Sequence, residues 1–211
     1  MLNKPNLPSA LCRLVLTLCG LASLVACSGL RSPPAQVAHL YTLDARASVP
    51  SRLVASDVVL AVSMPRANPG FDTSQIAYQR QPHQIEYFAL NRWLDTPAHM
   101  LEPLLFQSLE QSGGFSAVVR TPGSVNAKIR LDTELIRLEQ DFTSKPSRVQ
   151  LTLRAQLVDI SAKRVLAVKV FDVVENAASD DAQGGVAAAN LALKTTLDQV
   201  LDFCLKAPTS P

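Results

Sequence analysis

An α+β fold, an antiparallel-rich sheet with two helices packed on one face, is the architecture this sequence predicts, preceded by a signal peptide and a flexible tether. Three observations predict it. Residues 125–135 and 149–157 alternate apolar and polar side chains at the two-residue period of half-buried strands. Two other segments, one led by Thr96-Pro97 and one ending near Lys206, carry apolar residues at the three- and four-residue spacing of amphipathic helices. The order strands, helix, strands, helix lacks the strict alternation expected of a parallel sheet. With 211 residues, 47% of them apolar and 18% charged, the chain suits one domain with appendages and is too apolar to be mainly disordered.

The N-terminus reads as an address. Of the 20 Lys and Arg, only Lys4 and Arg13 precede Cys27, and no acidic residue does, so 18 basic side chains face 18 acidic ones in the rest. The net charge of +2 therefore belongs to the leader, and the neutral remainder gives no sign of a nucleic-acid partner. Residues 14–26 form an apolar run of about 13 residues, too short to span a bilayer, which needs roughly 20, and suited to a signal-peptide core behind a basic segment. It ends in Leu24-Val25-Ala26-Cys27, which resembles the lipobox of bacterial lipoproteins; the alternative is an ordinary secretory signal followed by a coincidental Cys. The lipobox reading implies acylation of Cys27 as the first mature residue. Ser28 in place of Asp implies, by the same resemblance, export to the outer membrane over retention at the inner one. The segment after Cys27, with Pro33-Pro34 and no periodic apolar face, reads as an extended tether. The expected divisions are 1–26 signal peptide, 27–38 lipidated tether, 39–206 folded domain and 207–211 tail.

Within the domain, Leu40–Leu43 reads as a short strand. The aliphatic run Val58–Met64 reads as a strand covered on both faces, stopped by Pro65, with Arg66 to Thr73 a loop. Gln75–Gln79 and Ile85–Ala89 suit a hairpin that turns near Gln81-Pro82-His83. Thr96 is a candidate N-cap with Pro97 at the first helical position. Leu94, Leu101, Leu104, Leu105 and Leu109 supply the stripe, Pro103 conflicts with it, predicting a kink or a late start, and Gly113-Gly114 ends the helix. The strand from Val125 to Leu135 and its antiparallel partner Val149–Leu157 are followed by a third, Val165–Val174, more apolar throughout. Glu139–Ser147 and Asp159–Lys163 are short polar connections of a meander. Asp180-Asp181 sits near the start of the last helix, favourable to its dipole, while Gly184-Gly185 argues for a later start. Val186, Leu193, Leu197, Val200, Leu201 and Cys204 share one face of it. Cys204 is the single cysteine left once Cys12 and Cys19 leave with the signal and Cys27 carries lipid, so it reads as a buried, inert thiol.

Residue patterns for catalysis are missing. His39, His83 and His99 are isolated, no HExxH or CxxC spacing occurs, and GxSxG, Walker and GxGxxG patterns are absent. Glu102, Glu110, Asp180 and Asp181 read as solvated or capping carboxylates, and the two Gly pairs as helix punctuation. The expectation is no enzyme, no catalytic or cofactor-binding residue, no metal and no cofactor. Tyr87, Phe88 and Trp93 cluster before the first helix, either as a lipid or partner surface or, the favoured reading, with one or two of them pinning that helix to the sheet.

In order, the chain shows Cys27 and its tether, Tyr41-Thr42-Leu43, an apolar strand ending in Met64-Pro65, Asp72–Arg80, and Asn91-Arg92-Trp93-Leu94 leading to Pro103-Leu104-Leu105. This series resembles the ABC-type transport auxiliary lipoprotein family, which includes the paraquat-inducible lipoprotein, over residues 39–205. The resemblance implies a non-enzymatic, lipid-anchored periplasmic subunit. Its implied partners are ABC permease and ATPase subunits and a mammalian-cell-entry (MCE) domain protein, in systems that move lipids or hydrophobic molecules across the Gram-negative envelope. The nucleotide chemistry belongs to the ATPase. A structural or assembly lipoprotein, pilotin- or scaffold-like, is the alternative, and a periplasmic hydrolase is disfavoured by the lack of a triad motif. A formally neutral domain meets little charge repulsion on self-association, so a homo-oligomer is compatible with the sequence.

Overall fold

The computed structural model describes residues 37–48, 56–123 and 126–206, and its compact unit begins at Ala38. The expected signal peptide, Cys27, most of the tether and the tail lie outside the described residues. Along the chain the elements are β1 (His39–Tyr41), β2 (Ser56–Val62), β3 (Arg66–Ala67), β4 (Gln75–Gln81), β5 (Gln84–Trp93), α1 (Pro97–Gln111), β6 (Phe115–Arg120), β7 (Ile129–Asp141), β8 (Arg148–Asp159), β9 (Arg164–Asn176) and α2 (Ala182–Leu205). The α+β expectation holds: nine strands form one sheet against which both helices pack.

Strand β7 organises the sheet. One of its edges pairs antiparallel with β8 from Ile129↔Asp159 to Asp141↔Arg148, and β8 pairs antiparallel with β9 over its whole length. The other edge is served in series by three parallel neighbours: β2 at Ile129–Leu131, β3 at Glu134–Leu135 and β4 at Glu139–Asp141. β6 lies parallel to β2, β5 antiparallel to β4, and β1 parallel to β5. The long pairings are thus antiparallel and the short ones largely parallel. β2, flanked by β6 and β7, has Val58, Leu60, Ala61 and Val62 buried, as its aliphatic run requires.

Several boundaries differ from expectation. β2 ends at Val62, although Ser63 N–H still donates to Leu131 O of β7 at 3.0 Å, and Met64 is exposed. The Arg66–Thr73 loop contains β3, fastened by Asn68 N–H to Leu135 O at 2.9 Å. β7 begins at Ile129, not near Val125, and runs on through Glu139, Gln140 and Asp141, which their polarity had assigned to a connection. Those three residues stay in the strand because β4 and β8 hold them from both sides. β6 was not expected at all.

Helix α1 starts where its cap dictates: Thr96 Oγ1 accepts from His99 N–H at 3.4 Å, and Pro97 follows at the first helical position. Pro103 neither ends nor delays the helix, which continues to Gln111, before Gly113 adopts φ 65°. Helix α2 is capped by Asp181, whose Oδ1 accepts from Gly184 N–H at 2.8 Å, so Gly184 and Gly185 sit in the first turn and do not postpone it. The first half of α2 buries mostly small residues, Gly185, Ala188, Ala189 and Ala192 with Leu193, and the second half Leu197, Val200, Leu201 and Cys204. Small residues let that first half approach the sheet closely. Leu60, Leu131, Leu153, Leu157 and Phe171 meet the helices in a single core, each such side chain contributing about 1.5–3 kcal/mol on burial.

Candidate interaction surface

The side chains singled out for chemistry are scattered. His39 is exposed on β1, His83 stands in the β4–β5 turn at φ 67°, and His99 lies in the first turn of α1 with Nδ1 3.2 Å from Asp95 Oδ1. Among the described residues no three His, Cys, Asp or Glu side chains are grouped to hold a metal ion. Glu102 accepts from Arg120 Nε at 2.6 Å, and the Arg120 guanidinium lies 3.8 Å from the Phe106 ring centre, so this carboxylate ties α1 to β6. Glu110 is exposed near the end of the same helix. Asp180 accepts from Ser147 N–H at 2.8 Å, which lowers its pKa, and the Gly184 N–H does the same for Asp181. Cys204 is buried, and burial pushes its thiol well above the ordinary range, leaving it unreactive.

The aromatic triplet does not form one surface. Trp93 is in the core, beside Gly185 and Ala189 of α2. Phe88 packs on Tyr78 at 4.6 Å and near Phe142 at 6.4 Å. Tyr87 Oη donates to Gly70 O at 2.9 Å and pins the loop before β4. The core itself is filled: a space beside Trp93 and Ala189 and another beside Leu101 and Leu193 measure about 10 Å³ each, room for one water.

A surface emerges instead on the sheet face turned away from the helices. Side chains alternate across a strand, so on β7 the outward set is Arg130, Asp132, Glu134, Arg137, Glu139 and Asp141. Arg130 donates to both oxygens of Asp132, at 2.8 and 2.9 Å, and Ser63 Oγ donates to the same carboxylate at 2.7 Å. Burial, which acts upward on Asp132, is outweighed by these donors, and its pKa lies below the ordinary value. Arg148 pairs with Asp141 at 3.0 Å, Arg137 with Glu139 at 3.7 Å and Arg154 with Glu134 at 3.9 Å. The β7–β8 face therefore neutralises itself. Glu139 is the exception in kind: its side chain is only 4% exposed, its Oε2 has no hydrogen-bond partner, and desolvation raises its pKa.

Beside this ladder lies an apolar column. Val165, Val168, Val170 and Val174 on β9 point outward and are 50%, 48%, 52% and 48% exposed. The column is broken only by Asp172, held by Thr152 Oγ1 at 2.7 Å and Gln150 Nε2 at 3.1 Å, which lower its pKa. The opposite face of β9 buries Phe171 and Val173 beneath α2. The strand reads in sequence as apolar on both sides, yet the fold covers one side only. That surplus of valines was the signal for this surface, and without knowledge of strand order it points to a buried strand.

The family model described as "ABC-type transport auxiliary lipoprotein component" matches residues 41–201. Comparison with curated proteins returns no match. Among solved structures, a protein of Xanthomonas campestris superposes with a TM-score of 0.74 at 24% identity, over 80% of this chain and 95% of that one. An uncharacterized protein gives 0.64 at 12% identity, over 80% and 99%. A hypothetical protein of Chlamydia trachomatis gives 0.51 at 9%, over 71% and 96%. These likenesses establish the fold. The chain belongs to the ABC-type transport auxiliary lipoprotein component family. It is accordingly an auxiliary lipoprotein of ABC-type transport systems, of a family not known as catalytic, associated with ABC transporter components and anchored at a membrane of the envelope.

Proposed function

We propose that this chain is the non-catalytic, lipid-anchored periplasmic component of an ABC/MCE-type system that moves lipids or other hydrophobic molecules across the Gram-negative envelope. Acyl chains on Cys27 hold it at the periplasmic face of the outer membrane, and the folded domain receives an MCE-domain protein that works with the permease and ATPase. The observation that carries this reading is the family match over 41–201 directly behind the Leu24–Cys27 lipobox. Two features support it. Among the described residues, the two core spaces of about 10 Å³ have no room for an acyl chain, which favours a cargo handled at the surface. Each buried methylene of an anchor contributes about 0.8 kcal/mol, and two or three chains on one cysteine make release from the leaflet negligible.

Cys27→Ser tests the anchor. Metabolic labelling with palmitate is expected to vanish, and the protein to leave the membrane fraction or remain unprocessed. Labelling that persists places the anchor elsewhere. Purification of the acylated wild type from membranes is expected to bring down an MCE-domain protein with its permease. Recovery of a different envelope complex alone would replace the transport reading with the scaffold one.

A further inference from the structure

The corner of the sheet where the tether enters is apolar and exposed. Leu94 and Leu40, at 64% and 61%, are the two most exposed large apolar side chains among the described residues of the compact unit. Pairing brings them together from distant parts of the sequence. β1 lies parallel to β5 in the register Leu40↔Arg92 and Tyr41↔Trp93. Leu94 N–H extends that pairing by donating to Tyr41 O at 2.7 Å. Trp93 belongs to the core and Tyr41 packs against that core, so alternation turns Leu40, Arg92 and Leu94 to the other face.

Arg92 stands between the two leucines and is itself exposed. The arginines of the β7–β8 face are matched to carboxylates, whereas Arg92 forms no ion pair among the described residues. The nearest carboxylate in sequence, Asp95, is engaged elsewhere: it accepts from Thr96 N–H at 2.6 Å, with His99 Nδ1 3.2 Å away. Two exposed leucines around an unpaired guanidinium suit a surface whose outer layer is phosphate and whose inner layer is hydrocarbon. A strand of another protein is a poor occupant, because β1 offers an edge of only three residues. What lies opposite the corner follows from the chain before it: the tether from Cys27 runs directly into β1, whose second residue is Leu40. We propose that Leu40, Arg92 and Leu94 form a docking patch for the phospholipid leaflet that carries the anchor. The leucines enter the acyl boundary and the Arg92 guanidinium holds a lipid phosphate. This patch rests on the lipid-anchor reading of Cys27 and deepens it, since acylation supplies proximity and the patch supplies orientation.

The test uses the acylated full-length chain in vesicles of phosphatidylethanolamine and phosphatidylglycerol. Leu40→Cys and Leu94→Cys, each carrying the fluorophore NBD, are compared with labelled Leu191→Cys, an exposed leucine of α2. With Cys27 acylated and Cys204 buried, the wild type takes no label and is the control. Doxyl groups on the lipid chains are expected to quench the probes of Leu40→Cys and Leu94→Cys at least about fivefold more than that of Leu191→Cys. Adding Arg92→Glu sets a carboxylate against the phosphates; it is expected to cut quenching in Leu94→Cys at least about threefold and to leave the melting temperature unchanged. Equal quenching in all three variants overturns the patch, as does its absence from Leu40→Cys and Leu94→Cys in chains that float with the vesicles. Undiminished quenching with Arg92→Glu overturns the phosphate contact. Palmitate labelling of Cys27 reports the anchor separately. A palmitoylated chain without quenching drops the patch and keeps the anchor, and quenching without palmitate does the reverse. A chain that neither carries palmitate nor floats overturns both.

Discussion

At Gly185 the side chain that is missing decides the packing. A Cβ there would overlap the Gln140 side-chain amide, which is buried and donates from Nε2 to Ser147 Oγ at 3.0 Å. In an exposed helix, Gly→Ala gains up to about 1 kcal/mol; here the overlap reverses the sign. Gly185→Ala is expected to lose about 1–3 kcal/mol, read by urea denaturation, and a gain would mean Gln140 withdraws freely. Glu139 makes a prediction in pH. Its folded-state carboxyl titrates above the ordinary range because burial disfavours the anion. The stabilisation tied to its proton is fully present below the unfolded value of about 4.3 and is lost as pH rises through the raised folded value. Glu139→Gln removes that loss. The variant is expected to melt higher than wild type at pH 7 and equally at pH 4. Lower melting at pH 7 would show that the attraction of Arg137, 3.7 Å away, outweighs burial of the charge.

At the level of elements, legibility followed locality. β8 and the hairpin β4–β5 declare themselves by alternation and β9 by its apolar run, and short turns join them to near neighbours, so they are legible in the sequence. The caps of both helices are equally local: Thr96 and Asp181 each bond to an N–H three residues on. β7 was displaced because its last residues are polar. What keeps Glu139–Asp141 in the strand is β4, whose parallel contact comes from more than 50 residues earlier. β6 was missed because Phe115–Arg120 alternates poorly and buries none of its six residues fully, its reason for being extended lying in β2. The interaction surface was half legible: the apolar excess of β9 is plain in the sequence, while its meaning depends on β9 being the last strand of the sheet, a fact of topology. Of the three aromatics expected to supply a pin for the first helix, Trp93 lies in the core beside Gly185 and Ala189 of α2, while Tyr87 and Phe88 serve a loop and a ring cluster through partners at Gly70 and Tyr78.

Across the whole molecule, the proposed division of labour is between a folded unit that supplies surfaces and a leader that supplies location. The compact unit begins at Ala38, and among the described residues its core draws on Leu43 onward, so a fragment starting near Ala35 keeps those core residues and is expected to unfold in a single cooperative transition. Eleven peptide steps separate Cys27 from Ala38, a reach of at most about 40 Å at 3.6 Å per residue. A lipid on Cys27 therefore confines the domain to a thin layer beside the leaflet without adding a contact. The proposed MCE partner is expected to bind the fragment weakly in solution. When both are tethered to liposomes it is expected to bind at least about 100-fold more tightly, since restriction to one surface raises effective concentration. The fragment is also expected to hydrolyse neither ATP nor generic esters. Equal affinity in the two formats would mean that confinement to one surface does not promote this contact. Binding in neither format, while the acylated chain retains a different complex, would remove the MCE protein as the partner of this domain.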